Sequence, residues 1–337
     1  MGVFTFNKEI HILNGLELTP PVIGRIAIGR VVEKAGRRLP EKDDEFTLTS
    51  QVQNKEGWVP HPVDAQLRKE PGAKLRSIPV RLLFDDPDLS LRANYTMFDR
   101  ATGRPLCVGD GESCKRVTLS GMQSLPCPSP AVCPLAQDGN CKPYGRLHVR
   151  VEAEGNTEAG MAGMSGDELG SFVFRTTGFN SIRTLSARLR YLFAVSGGLL
   201  AGLPLELRLR GKSTTLSHRT PIYYVDLTLR AGSSLAQVVA LTRQEREQQA
   251  ALGLDQVALD EAARQGLALG EFEESEEEGV GVVEEFYPDS DAEGDREGGA
   301  ELAPAPISLR GKLHRKQEAL GVRAIATGDP GVSHAGA

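Results

Sequence analysis

Short stretches of alternating hydrophobic and polar residues recur along this chain, and each predicts a strand with one buried face. Ile23–Val31 alternates loosely, and Ile78–Phe84 reads as a further strand. Pro79 has no N–H to give to a ladder, which places that strand at a sheet edge. In Arg146–Glu152 the side chains of Leu147, Val149 and Val151 share one face, and Phe172–Thr176 is another strand. Leu205, Leu207 and Leu209 alternate with Glu206, Arg208 and Arg210, predicting a strand with a basic outer face; Tyr223, Val225, Leu227 and Leu229 alternate in a last strand. Between these the period changes. Ile182, Leu185, Leu189, Leu192 and Phe193 recur at helical spacing, with Ser181 at the N-cap position, Gly197-Gly198 as the stop, and Arg183 and Arg190 on the opposite face. Ser234 to Leu269 reads as helix with interruptions near Gly253 and Gly266, and the polar stretch Glu41–Pro71 reads as loop.

Charge changes the picture at the C-terminal end. The chain of 337 residues has a formal net charge of -6. Glu271 to Glu297 contributes roughly -12, the residues after it roughly +2, and the body before it roughly +4. From Glu271 onward the composition is that of a disordered acidic tail, with a Pro-Ala stretch and a short basic patch at Arg310, Lys312, Arg315 and Lys316. Such a tail mimics nucleic acid, recruits a basic partner, or only solubilises. The expected fold class is α+β: a mainly antiparallel sheet with a packed helix, a cysteine-zinc loop insertion and the acidic tail. The expected division is a strand-rich part over 1–100, a cysteine-rich zinc loop over 101–145, an α+β core over 146–270 completing one domain with the first part, and the tail over 271–337.

No stretch approaches the roughly 18 consecutive apolar residues of a membrane span. The most apolar one, Tyr191–Leu205, is short and interrupted by Gly197, Gly198 and Gly202. Met1–Phe6 lacks the basic start and apolar run of a secretory signal, and Phe6 stands where a myristoylation site wants Ser or Thr. A cytoplasmic protein without membrane contact is expected.

The five cysteines, Cys107, Cys114, Cys127, Cys133 and Cys141, all fall within one 35-residue window. An odd count without an export signal points to metal rather than to disulfides. Zinc takes about four thiolate or imidazole ligands. Cys127, Cys133 and Cys141 supply three. Cys114 is taken as the fourth, with Cys107 as the alternative and His148 behind both. Pro126, Pro128, Pro130 and Pro134 stiffen the loop, and a closed four-ligand site of this kind is structural. The window is rich in Gly, Pro and Ser, so it is expected to be organised by the ion.

Other constellations are weaker. Leu209–Thr214 ends in a Walker-like Gly211-Lys212-Ser213, but Glu206 stands where the first glycine of the phosphate cradle belongs, so the segment reads as a basic strand end. Arg175, Arg183, Arg188, Arg190, Arg208, Arg210, Lys212, Arg219 and Arg230, with Tyr223 and Tyr224, form a basic series that fits either a phosphate backbone or an ordinary solvated or protein-facing surface. Asp85, Asp86 and Asp88 read as a solvated turn. His148 sits on the polar face of its strand and His218 in a polar turn, and neither has a nucleophile beside it. No catalytic set can be assembled, and no small-molecule substrate is expected.

Particular runs of residues carry a resemblance. They are Leu125-Pro126-Cys127-Pro128, Cys133, Cys141–Leu147, Phe174–Arg183, Leu209–Thr214 and Pro221–Val225. Over roughly residues 70 to 232 the chain resembles the phage-type recombination directionality factor-like family. It is closest to the versions carried on integrative and conjugative elements and described as hydrolase or metal-binding proteins. The resemblance implies a non-enzymatic, DNA-associated factor that binds a site-specific recombinase, an integrase, and biases recombination toward excision. The family's cysteine cluster maps onto Cys127, Cys133 and Cys141, although the family pattern has one more cysteine near the first than this chain carries. Two other readings stand beside it. One is a single-strand DNA-binding or replication accessory protein of a mobile element; the other is a metal-dependent hydrolase.

Overall fold

A computed structural model describes residues 21–287, apart from residues 35–36, 56, 69, 71, 154–169, 214, 216–219, 270–281 and 284–285. The expectations for Met1–Phe6, for His218 and Arg219, and for the tail beyond Tyr287 lie outside the described residues. The elements run β1 (Val22–Lys34), β2 (Arg37–Asn54), β3 (Gly57–Pro60), α1 (Pro62–Leu67), β4 (Ser77–Leu82), α2 (Pro87–Ser90), β5 (Leu91–Phe98), β6 (Pro105–Gly109), β7 (Ser113–Thr118), β8 (Gly121–Pro126), β9 (Lys142–Val151), β10 (Ser171–Thr176), α3 (Phe179–Ser196), β11 (Leu205–Lys212), β12 (Ile222–Leu229), α4 (Leu235–Ala251) and α5 (Gln256–Leu269). The fold is α+β, as the alternating stretches predict.

The described strands join into one sheet of order β3-β2-β1-β10-β9-β5-β6-β7-β8, with β4, β11 and β12 branching from β9. All pairs are antiparallel except β1 with β10. One face is the core. Phe46, Leu48, Ile78, Val80, Leu147, Val149, Phe172, Phe174, Leu205 and Leu207 are buried there under Leu185, Leu189 and Leu192 of α3. Each such side chain contributes about 1.5–3 kcal/mol by leaving water.

Several expectations change in detail. The polar stretch after Glu41 is not loop: it holds the end of β2, then β3 and α1. Phe46 and Leu48 alternate into the core behind the acidic run Asp43-Asp44-Glu45, which masks them in a composition-based reading. β4 is not an edge strand, since it pairs with both β9 and β11. Pro79 is tolerated because the ladder to β9 starts only at Val80, while the Pro79 carbonyl accepts from the Glu152 N–H at 2.9 Å. α3 starts one turn earlier than the periodicity indicates, with Gly178 at its N-cap. Ser181 lies inside the helix, and its Oγ accepts from the Val225 N–H at 3.1 Å, satisfying a donor on the free edge of β12. Gly197 ends the helix in the left-handed conformation, at φ 72°. The C-terminal helical stretch divides at Gly253, φ 88°, and runs through Gly266. The cysteine window carries the meander β6-β7-β8, which extends the sheet beyond β5 as a wing.

Gly145 of β9 sets how closely α3 approaches the sheet. A Cβ there would lie 2.9 Å from Ile182 Cγ1. Gly145→Val is expected to cost about 1–3 kcal/mol by pushing α3 outward, a fall of about 2–10 °C in Tm measured by calorimetry.

Candidate metal centre

Strand alternation brings the cysteines to one side of the wing. Cys107 of β6 lies opposite Met97 of β5 and Arg116 of β7; Cys114 lies opposite Gly109 and Leu125. Residues at two-residue steps share a face, so Met97, Cys107, Cys114, Arg116 and Leu125 all point the same way. Cys127 follows Leu125 by two residues just past β8. Cys107, Cys114 and Cys127 are buried together, packed with Met97 and Leu125. Gly109 leaves room for them: a Cβ on it would meet Cys114 Cβ at 2.7 Å and Cys127 Sγ at 3.0 Å.

The chain then turns back over this face. The Cys133 N–H donates to the Ser129 carbonyl at 3.0 Å, Ser129 adopts φ 67°, and a 3-10 turn over Pro134–Gly139 leads to Cys141 at the start of β9. Cys133 and Cys141 are half-buried. Burial, then the neighbouring Cys107, Cys127 and Cys133, push the Cys141 thiol up to about 12. Burial and Cys107 push Cys114 up to about 11. Both are therefore neutral thiols at pH 7 in this geometry. The Arg116 guanidinium hydrogen-bonds Cys107, which raises its own pKa, and it stands 3.8 Å from Cys114 Sγ. Among the described residues, no three His, Cys, Asp or Glu side chains are arranged as a ready metal site. The donor set nonetheless suits zinc: soft sulfur ligands from β6, from β7 and from the β8–β9 connection, with the Arg116 guanidinium beside them to offset part of the charge of a tetrathiolate.

His148, the remaining ligand candidate, is elsewhere. Its neighbours in β9, Leu147 and Val149, face the core, so His148 faces the opposite side of the sheet. There burial, then Arg92, Arg146 and Arg175, lower its pKa to about 3.

The basic series is divided by the fold. Arg208, Arg210 and Lys212 share the outer face of β11, and Tyr223 lies on the other face, opposite Gly211. Asp226 is buried and holds two guanidinium groups, Arg188 at 2.9 Å and Arg210 at 2.7 Å. Arg208 pairs with Glu206, and Lys212 donates to Asn180 Oδ1 at 2.7 Å. Arg175 is on β10; Arg183 and Arg190 stand exposed on α3, seven residues apart on one stripe. The Walker-like run is strand up to Lys212, not a phosphate cradle.

The aspartate cluster is structural. Asp85 pairs with Arg246 at 2.7 Å, Asp86 caps α2 and pairs with Arg264, and Asp260 accepts both backbone N–H groups of Asp85 and Asp86. These contacts fasten α4 and α5 beneath Leu83 and Phe84. Sequence reading missed the buried arginines Arg25 and Arg92. Their polar positions in alternating strands were visible, but only strand register sets both on the sheet face away from the core, three strands apart. No helix among the described residues is long and apolar enough to cross a membrane.

No curated protein and no solved structure matches the chain significantly. A family model does match, and it covers residues 23–230, from β1 through the end of β12. That span includes the whole sheet, the cysteine wing and α3, so the chain belongs to the Gp3-like family of recombination directionality factor-like proteins.

Proposed function

We propose that this protein controls the direction of site-specific recombination by binding a recombinase on DNA and favouring excision, with no chemistry of its own. The observation that carries this reading is the family match across the sheet and wing. A directionality factor needs unequal affinity for two synaptic arrangements, and a tenfold difference corresponds to about 1.4 kcal/mol. A wing that extends the sheet beyond β5 suits that task. Val117, Leu119, Met122, Val132 and Leu135 are exposed on it, offering apolar contacts of the kind that anchor protein interfaces.

We assign the rigidity of the wing to a structural zinc ion held by Cys107, Cys127, Cys133 and Cys141, the four thiols that interact through Cys141. Cys114 packs beside Cys107 and Cys127, with its Sγ 3.8 Å from the Pro126 carbonyl. When bound, zinc would supply a closed tetrahedral cross-link. The residues' own part is to fix β6, β8 and the start of β9 relative to one another, while Arg116 offsets negative charge.

The test uses a purified integrase-type site-specific recombinase from the same genome, with and without its attachment-site DNA. The recombinase is expected to retain the full chain and to shift its products toward excision. Leu119→Glu with Met122→Glu is expected to lower retention at least tenfold at unchanged Tm. No retention under either condition, with folded protein, overturns the reading. Salt-sensitive binding to bare single strands without recombinase supports an accessory replication role instead.

A further inference from the structure

The free edge of β12 joins α3 to the outer face of β11 in one basic surface. α3, β11 and β12 together hold six basic residues, Arg183, Arg188, Arg190, Arg208, Arg210 and Lys212, and two acidic ones, Glu206 and Asp226. Both acids are buried, at 8% and 2% exposure. Arg188, Arg208 and Arg210 keep between 40% and 46% of their side-chain surface in solvent, and Arg183 and Arg190 are exposed. The negative charge of these elements therefore lies beneath the surface and the positive charge on it.

Two contacts carry this surface round the edge. Arg188 of α3 and Arg210 of β11 meet on the Asp226 carboxylate, whose single charge balances only one of them. Lys212 Nζ donates to Asn180 Oδ1 near the start of α3, a neutral partner that takes up none of its charge. Two-residue steps set Lys212, Arg210 and Arg208 in a row, about 7 Å apart. On α3, Arg183, Ala187, Arg190 and Ala194 follow one another along an exposed stripe, and its two arginines stand about 10 Å apart along the axis. Alanine between them leaves no bulk to hold a partner off. Tyr191 and Tyr224 lie close enough to Arg188 to act on its charge, and tyrosine hydroxyl groups bond phosphate oxygens. Such rows suit a polyanion whose charges are regular and fixed. Duplex DNA carries one charge for about every 1.7 Å of its axis. A single strand is instead held by successive open aromatic faces, and here Tyr224 already lies under Lys212 Nζ, 5.9 Å from the ring centre.

We infer that α3 and the outer face of β11, around the free edge of β12, form a docking surface for the phosphate backbone of duplex DNA, gripped without regard to base sequence. This surface adds a DNA contact to the recombination reading, and DNA is chosen as its polyanion on that reading. The recombinase contact falls on other residues, those of the wing.

The test measures binding of the full chain to a random-sequence duplex with no recombinase present. With about four phosphates neutralised, affinity is expected to fall roughly a hundredfold between about 0.05 and about 0.2 M salt. Arg183→Gln with Arg190→Gln, both on the exposed stripe, is expected to weaken binding about tenfold or more at unchanged Tm and to reduce the salt slope by about 2. Lys212→Gln alone is expected to reduce the slope by about 1. Lys55→Gln removes an exposed charge from the turn after β2 and is expected to leave the affinity within about twofold. No binding to the duplex at the lower salt, with folded protein, overturns the inference. So does an equal loss from Lys55→Gln and from the stripe variant, and so does tighter binding of a single strand of the same sequence. Failure here while a recombinase still retains the chain removes the DNA contact and leaves the recombinase reading standing; failure of both removes that reading as well.

Discussion

Purified Cys127→Ser protein is expected to contain no zinc, the unaltered chain is expected to carry about one ion, and the wing of the variant is expected to become the first site of proteolysis. Cys127 Sγ packs beside Gly109 and Cys114 at the junction of β6, β7 and the end of β8, so it is the thiol with the most to organise. Structural zinc sites in small peptides are worth on the order of 10 kcal/mol at neutral pH. That is far more than the few apolar contacts of Met97 and Leu125 can supply. Cleavage is expected between Asp99 and Lys142, outside the main core, with the Tm of the remaining sheet shifted far less than the protease sensitivity. Cys107→Ser is expected to behave like Cys127→Ser, and Cys114→Ser to retain the metal. Elemental analysis finding no zinc in the unaltered protein, together with indifference to a chelator, would remove the metal from the account and leave a wing packed by neutral thiols.

The second large effect is expected at Asp226. Its carboxylate is buried between Arg188 and Arg210 and also accepts from the Leu227 N–H. Burial alone would raise its pKa, but the hydrogen bonds and charges of Arg188 and Arg210 hold it below the usual carboxylate range. Asp226→Asn leaves two guanidinium groups facing each other without a counter-charge. Breaking a fully buried pair costs about 3–5 kcal/mol. Both arginines here are nearly half exposed, so screening reduces the expected loss to about 2–3 kcal/mol, or about 5–10 °C in Tm. The pH dependence has a definite sign. A depressed carboxylate contributes fully above its unfolded pKa of about 3.9 and progressively less as pH falls through its folded value. Denaturant titrations at pH 7 and pH 3 are therefore expected to show the gap between the two proteins shrinking at the lower pH. A gap that is constant with pH would mean that Asp226 acts through packing alone.

Local pattern carried the parts of the fold that are locally determined. The alternation in β1, β9, β10, β11 and β12, and the 3.6-residue period of α3, are written in neighbouring residues, and the structure follows them. The meander was hidden because Gly, Pro and Ser dominate its composition while its stabilising contacts come from cysteines distant in sequence. Ser181 was read as a cap because its chemistry suits one; its actual partner is Val225, on a strand that the helix reaches only in three dimensions. The neighbourhood of all five thiols was legible from their crowding. That the parity of β9 turns His148 away from them depended on pairings no local window contains. Val282 and Phe286 fall in a stretch read as unstructured tail, yet they are buried against Phe98 and Tyr144, because two apolar side chains barely register within an acidic composition.

The lone parallel pairing has a consequence during synthesis. β1 and β2 can zip up as a hairpin soon after they emerge, but the other side of β1 finds its neighbour only when Phe172 to Phe174 have been made. Until then the nascent chain must hold an open strand edge while more than a hundred further residues are translated, a delay that favours slow maturation and invites chaperone capture of the early hairpin.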